Sequence, residues 1–201
     1  MAEPVILAFD TSAAHCAAAL LCGDEILAGA QEEMAKGQAE RLLGLVQELL
    51  ARSGTAMSQL DAIGVGTGPG NFTGIRISVS AARGLAMALD IPAVGVNAFE
   101  ALRYGTTSPC LCSVDARRDM VFVQGFDAGL YEVPELVARA DLPTDVPLIG
   151  AFGAPPAFPV AHAIAHIAAA RFYRTHSAPA PLYLRAADAA PARDLPPVIV
   201  P

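Results

Sequence analysis

The sequence predicts an α/β fold in two lobes, the second of them truncated. Three observations carry that prediction. A continuous apolar run near the N-terminus is followed by two more strand-like segments joined only by tight turns. A glycine-rich turn stands between a short apolar strand and a long helix-forming segment. A strand that ends on aspartate before a second strand occurs twice, at Leu7 to Asp10 and again at Leu111 to Asp115.

Taken in order, Val5 to Phe9 reads as a buried strand, Ala17 to Cys22 as a second, and Glu25 to Gln31 as a third after the turn at Gly23-Asp24. Gln38 to Arg52 has helical periodicity and stops before Ser53-Gly54, where glycine permits a left-handed closing residue. Asp61 to Gly66 is a strand, the glycine-rich turn follows, and Thr73 to Leu89 is a second long helix. Pro92 to Val96 adds a strand, and Asn97 caps a short helix through Arg103. The order βββαβαβα matches one half of the actin-like, ribonuclease H-like fold of sugar kinases and related ATPases. Tyr104 to Pro109 reads as a hinge, so residues 1–104 form the first lobe and 109–201 the second. The second begins to repeat the first, with strands at Leu111 to Asp115, Val121 to Phe126 and Pro147 to Gly150, then a helix from Pro159 to Tyr173. After that the chain runs into a proline-rich tail.

At 201 residues there is enough chain for a core in each lobe, and no run reaches the roughly 18 apolar residues of a membrane span. The N-terminus, Met1-Ala2-Glu3-Pro4, shows no basic region before an apolar stretch, so the expected location is the cytoplasm. Cys16, Cys22, Cys110 and Cys112 lie in strand-like text and read as buried free thiols. The net charge is -7 and basic residues are not clustered, which argues against tight binding of nucleic acid by this chain alone.

Three segments carry the chemistry. Asp10-Thr11-Ser12 places a carboxylate and two hydroxyls at a strand end, a turn that wraps phosphates and their metal in kinases of this superfamily and is otherwise an ordinary structural turn. Gly66-Thr67-Gly68-Pro69-Gly70-Asn71-Phe72-Thr73-Gly74-Ile75-Arg76 brings backbone close to a helix start, where amides hold anions. It is neither a dinucleotide fingerprint nor a P-loop, since no Lys-Ser/Thr ends it. The third is Gly37-Gln38-Ala39-Glu40-Arg41-Leu42-Leu43. The eleven-residue glycine string resembles the signature of the TsaB family, with Asn71 where serine is usual, and the other two segments are similar to text of that family and its catalytic paralogue, the TsaD family. Val114 to Arg118 and Pro181 to Arg185 also resemble it. The resemblance implies the actin-like fold, a heterodimer with a TsaD-type catalytic subunit, and recruitment of a TsaE-type ATPase. It implies a vestigial nucleotide or phosphate site at Asp10, Thr11, Ser12, Gly68, Gly70 and Asp115, with Asp10 and Asp115 facing each other across a cleft.

The two long helices carry more apolar surface than one sheet face needs. In the first, Leu42, Leu43, Leu45, Val46, Leu49 and Leu50 cover an arc of about 160° opposite Glu40, Arg41, Gln47 and Glu48; in the second only a stripe of about 60°, Arg76, Ser80 and Arg83, is polar. Leu42, Leu45, Leu49, Ile77, Val79, Arg83 and Leu85 are therefore the expected partner interface, with packing inside the lobe as the competing reading. The His-x-x-x-His metal pair that the TsaD family carries after its glycine-rich segment has no counterpart here. His162 and His166 share a helical face, but alanine stands where a zincin needs glutamate, and His15 reads as a turn residue. No cofactor and no metal is expected. The expected function is that of an accessory, non-catalytic subunit: it binds and positions a TsaD-type partner that threonylcarbamoylates the adenosine beside the anticodon of tRNAs reading codons that begin with adenine. Such a subunit meets tRNA only through the complex and forms a homodimer if its partner face closes on a second copy. The alternative is an enzyme, a small actin-like ATPase or kinase or a metallopeptidase-like protein.

Overall fold

The computed structural model describes residues 3–107, 109–174 and 177–184. Its first sheet contains β1 (Val5–Asp10), β2 (His15–Cys22), β3 (Glu25–Glu33), β4 (Ala62–Gly66) and β5 (Ala93–Val96), in the order β3-β2-β1-β4-β5. The first three form an antiparallel meander, and β1, β4 and β5 run parallel. Successive side chains of a strand leave on opposite faces. Leu7 and Phe9 enter one core and Ile6 and Ala8 another, which is why β1 is apolar without alternation.

On one face lie α1 (Gln38–Ser53) and α2 (Phe72–Leu89). Gly54 closes α1 in the left-handed conformation at φ 68°, and its N–H reaches back to the carbonyls of Ala51 and Leu50. Asn71 caps α2: its side chain accepts from the N–H groups of Thr73 and Gly74, both at 3.0 Å. Arg41 on α1 donates to Glu32 of β3 and Glu48 of its own helix, which ties the helix to the sheet edge.

Burial corrects part of the expected interface. Leu42, Leu45, Leu49 and Val79 are at most 3% exposed and pack with Leu7, Phe9, Leu20, Ile63 and Val65 in the chain's own core. The apolar arc is wide because α1 and α2 also touch each other and because Leu60 and Ile91, on the segments flanking β4 and β5, pack into the same cluster. Ile77 and Leu85 are half-buried at its edge, and Arg83 is exposed.

The other face of the first sheet is covered by α4 (Val160–Ala169), whose Ile164, Ala165 and Ala168 pack against Ile6, Ala8 and Ala62. This helix was expected within the second lobe; it lies on the first sheet because its small residues allow close approach. A side chain on Gly64 would meet the Ala168 methyl at 2.9 Å. The second sheet, β8-β7-β6-β9, consists of β6 (Cys110–Asp115), β7 (Met120–Phe126), β8 (Glu135–Ala138) and β9 (Leu148–Gly150). It repeats the scheme of the first, with β6, β7 and β8 antiparallel and β9 parallel to β6. β8 is not apparent from the sequence. Between the sheets, α3 (Ala98–Arg103) is capped by Asn97 and Glu100 in a reciprocal box, and its Phe99 packs into the second core.

Candidate functional site

The end of β1 and the glycine-rich turn close on one another. Asn71 N–H donates to the Ser12 carbonyl at 2.6 Å, and the Thr11 hydroxyl donates to the Gly74 carbonyl at 2.6 Å. This contact explains the glycines. A side chain on Gly70 would collide with the Ser12 carbonyl, one on Gly74 with that of Thr11, and one on Gly66 with the Asp10 carboxylate. Gly68 is left-handed at φ 85° and abuts the Ile75 side chain. The close backbone approach read from the sequence is thus made by the protein's own turns.

Asp10, Thr11 and Ser12 are buried. One carboxylate oxygen of Asp10 accepts from the Ser12 N–H at 3.1 Å, the Ser12 hydroxyl at 2.9 Å and His15 Nε2 at 2.7 Å. Burial disfavours the His15 cation, but the hydrogen bond and charge of Asp10, with Glu33 adding to them, outweigh it and raise the imidazole above its ordinary pKa. His15 begins β2 and is a hydrogen-bond partner of Asp10, a role the sequence reading missed. Serine, aspartate and histidine side by side do not form a nucleophilic triad here, because the carboxylate sits between the other two, whereas a serine is activated by an imidazole in direct contact with it. The side chains at this turn, which the resemblance would give to phosphate, are engaged with groups of the chain itself.

Asp115 occupies the equivalent end of β6, but it is exposed, and among the described residues it accepts the N–H of Arg117, at 2.8 Å. Two surface pockets lie elsewhere: one of about 660 Å³ beside Arg139, Asp145 and Phe152, and one of about 550 Å³ between α2 and residues 181–183. Neither is lined by Asp10 or Asp115. His166 stacks on Tyr104, with ring centroids 5.5 Å apart, and meets Phe158 edge-on. His162 fits against Gly29 of β3, where burial and His166 lower its pKa. Among the described residues no group of three or more His, Cys, Asp or Glu is placed to hold a metal, and no helix is long and apolar enough to cross a membrane. Cys16, Cys22, Cys110 and Cys112 are free. Burial pushes the Cys16 thiol up to about 11 and that of Cys112 to about 12, so both stay protonated at neutral pH and neither is a thiolate nucleophile.

The outward side of α2 is of another kind. Arg76, Ser80 and Arg83 face solvent, with Met87 83% exposed, and Leu43 of α1 is 49% exposed. Residues 177–184 run as a strap beside this face. Leu182 N–H donates to the Thr67 carbonyl at 2.8 Å, the Tyr183 ring lies 4.9 Å from Phe72, and Arg76 Nε donates to the Tyr183 hydroxyl at 3.0 Å. Arg185, which ends the similar segment in the sequence, lies outside the described residues.

A family model described as TsaD, tRNA N6-adenosine threonylcarbamoyltransferase, matches residues 30–136. The tRNA threonylcarbamoyladenosine biosynthesis protein TsaB of Escherichia coli is 34% identical over 122 residues, 58% of this chain and 52% of that protein. The chain belongs to the TsaD family, as a TsaB-type protein. Two solved structures from Pseudomonas aeruginosa agree with this TsaB-type fold. One, titled an uncharacterized protein with similarity to peptidase YEAZ, covers 90% of this chain and 100% of its own at a TM-score of 0.72 and 25% identity. The other, titled YeaZ, covers 71% of this chain and 70% of its own at 0.60 and 31%. The actin-like α/β class read from the element order therefore stands. The match spans about half the length of the curated TsaB relatives from Escherichia coli and Haemophilus influenzae.

Proposed function

We propose that this TsaB-type chain is a non-catalytic subunit in the biosynthesis of threonylcarbamoyladenosine in tRNA. It binds and positions a TsaD-type catalytic partner, which modifies the adenosine beside the anticodon in tRNAs reading codons that begin with adenine. One observation carries the reading. The polar groups of the phosphate-type turn are engaged with one another, while the outward face of α2 beside it leaves Met87 83% exposed. A methionine left facing solvent, on a helix whose Ile77 and Leu85 are only half-buried, fits docking against another protein. The names of the TsaB relatives support the pathway. In this reading the complex is cytoplasmic, a TsaE-type ATPase joins it, and tRNA is met through the complex.

Co-expression of the full chain with a TsaD homologue of the same organism, followed by gel filtration, tests the proposal. A single peak containing both proteins is the expected result. Two separate peaks, or magnesium-dependent ATP turnover by this chain alone that Asp10→Ala abolishes, would overturn it in favour of an enzyme.

A further inference from the structure

The helix that carries the exposed methionine also carries an uncompensated charge. α2 contains Arg76 and Arg83 and no acidic residue in 18 positions, although the chain as a whole has a net charge of -7. Positions seven apart fall within about 20° of one another around a helix and about 10 Å apart along it. Both arginines line the pocket of about 550 Å³ that α2 forms with Pro181 and Tyr183. Arg83 makes no ion pair with any described residue. Arg76 is held in place: its guanidinium lies 3.8 Å from the centre of the Phe72 ring, and its Nε is spent on the Tyr183 hydroxyl. That uses one of its five N–H donors, so the others remain available to a ligand.

We propose that the pocket between α2 and the 177–184 strap receives a carboxylate side chain from the surface of the TsaD-type partner. Arg83 is its charged pair, and Tyr183 holds Arg76 as the second wall. The inference rests on the docking reading above and adds the chemistry of the contact. Charge complementarity selects the occupant. Two arginines are too few for the several phosphate contacts on which nucleic-acid binding depends. A carboxylate matches the forked guanidinium, and a pocket open along a helix face suits a side chain delivered by a partner surface better than a free ion. Tyr183 gives the strap a role in the interface, since it fixes the rotamer that Arg76 presents.

The test titrates the purified full chain with the purified TsaD homologue by calorimetry, at low and high salt, for wild type and for Arg83→Glu, Arg83→Gln and Tyr183→Phe. Arg83 and Tyr183 are exposed, and circular dichroism checks that each variant is folded. We expect Arg83→Glu to weaken binding about tenfold or more, Arg83→Gln less, and salt to weaken wild type more than Arg83→Gln. Tyr183→Phe should cost about two- to fivefold, by freeing Arg76. If wild type binds and Arg83→Glu binds equally well, the carboxylate pocket is wrong and the docking reading survives. If wild type does not bind at all, both fall. If Arg83→Glu alters only self-association, or only binding of tRNA to the chain, the occupant is a second copy or nucleic acid and the proposal is overturned.

Discussion

The two strand ends at Asp10 and Asp115 hold the same place in two sheets of the same scheme, yet they live in different surroundings. Asp10 is buried, accepts three hydrogen bonds and is roofed by the glycine-rich turn. Asp115 is exposed and, among the described residues, accepts one. The difference follows from what covers each sheet. The first sheet has α1 and α2 on one face and α4 on the other. The smaller second core is assembled around α3, through Phe99 and Leu102, with Cys110, Cys112, Phe122 and Ile149. A repeated strand order thus reproduces the position of a carboxylate without its environment, and environment decides whether a group is part of the fold's interior or a surface cap.

The comparison breaks first if glycines in the two regions prove equally replaceable. Gly74→Ala drives a methyl into the Thr11 carbonyl and should destabilise the chain by about 3 kcal/mol or more. Gly129→Ala, in the second region at φ 71° with open space around it, should cost about 1 kcal/mol through backbone strain alone. Urea unfolding of both variants reads the difference. Next comes the carboxylate pair. Asp10→Ala strands the buried Ser12 hydroxyl and His15 and should lose about 2 kcal/mol, whereas Asp115→Ala should stay within about 0.5 kcal/mol of wild type. Similar losses for the two would show that burial is not what separates them.

The smallest effect is a pH dependence confined to the first region. The folded pKa of His15 lies above the unfolded value, near 6.5. Its protonation therefore adds stability that is fully present below the unfolded pKa and is lost as the pH rises through the folded one. Urea midpoints of wild type should fall across that window, and those of His15→Gln should fall less. Equal slopes would remove the His15–Asp10 pair as a source of stability.

Much of the first sheet was legible because its signals are local: unbroken apolar text in β1, Gly54 at the end of α1, and the Asn97 cap of α3. The glycine-rich turn was legible as a close backbone approach, but not the identity of its neighbour, since the Ser12 and Thr11 carbonyls arrive from some sixty residues away in sequence. Periodicity gave the apolar width of α1 correctly. It could not say that Leu60, Ile91 and α2 would consume that width, so Leu45 and Leu49 were assigned to a partner when they face the chain's own core. β8 was missed because its four residues follow Pro134 and carry no alternation of buried and exposed positions. The placement of α4 was missed because a run of alanine, isoleucine and histidine does not encode which sheet it meets.

That placement has a consequence for the nascent chain. The face of the first sheet made by Ile6, Ala8, Ala62, Val94 and Val96 is complete once β5 has emerged from the ribosome, but the helix that shields it begins only at Val160. At elongation rates of about 5–20 residues per second, that apolar face waits several seconds in the open. Until that helix arrives the exposed face is open to any apolar partner, and slowing translation between the codons for Val96 and Val160 should lengthen the time for which a ribosome-bound chain binds an apolar dye or a general chaperone.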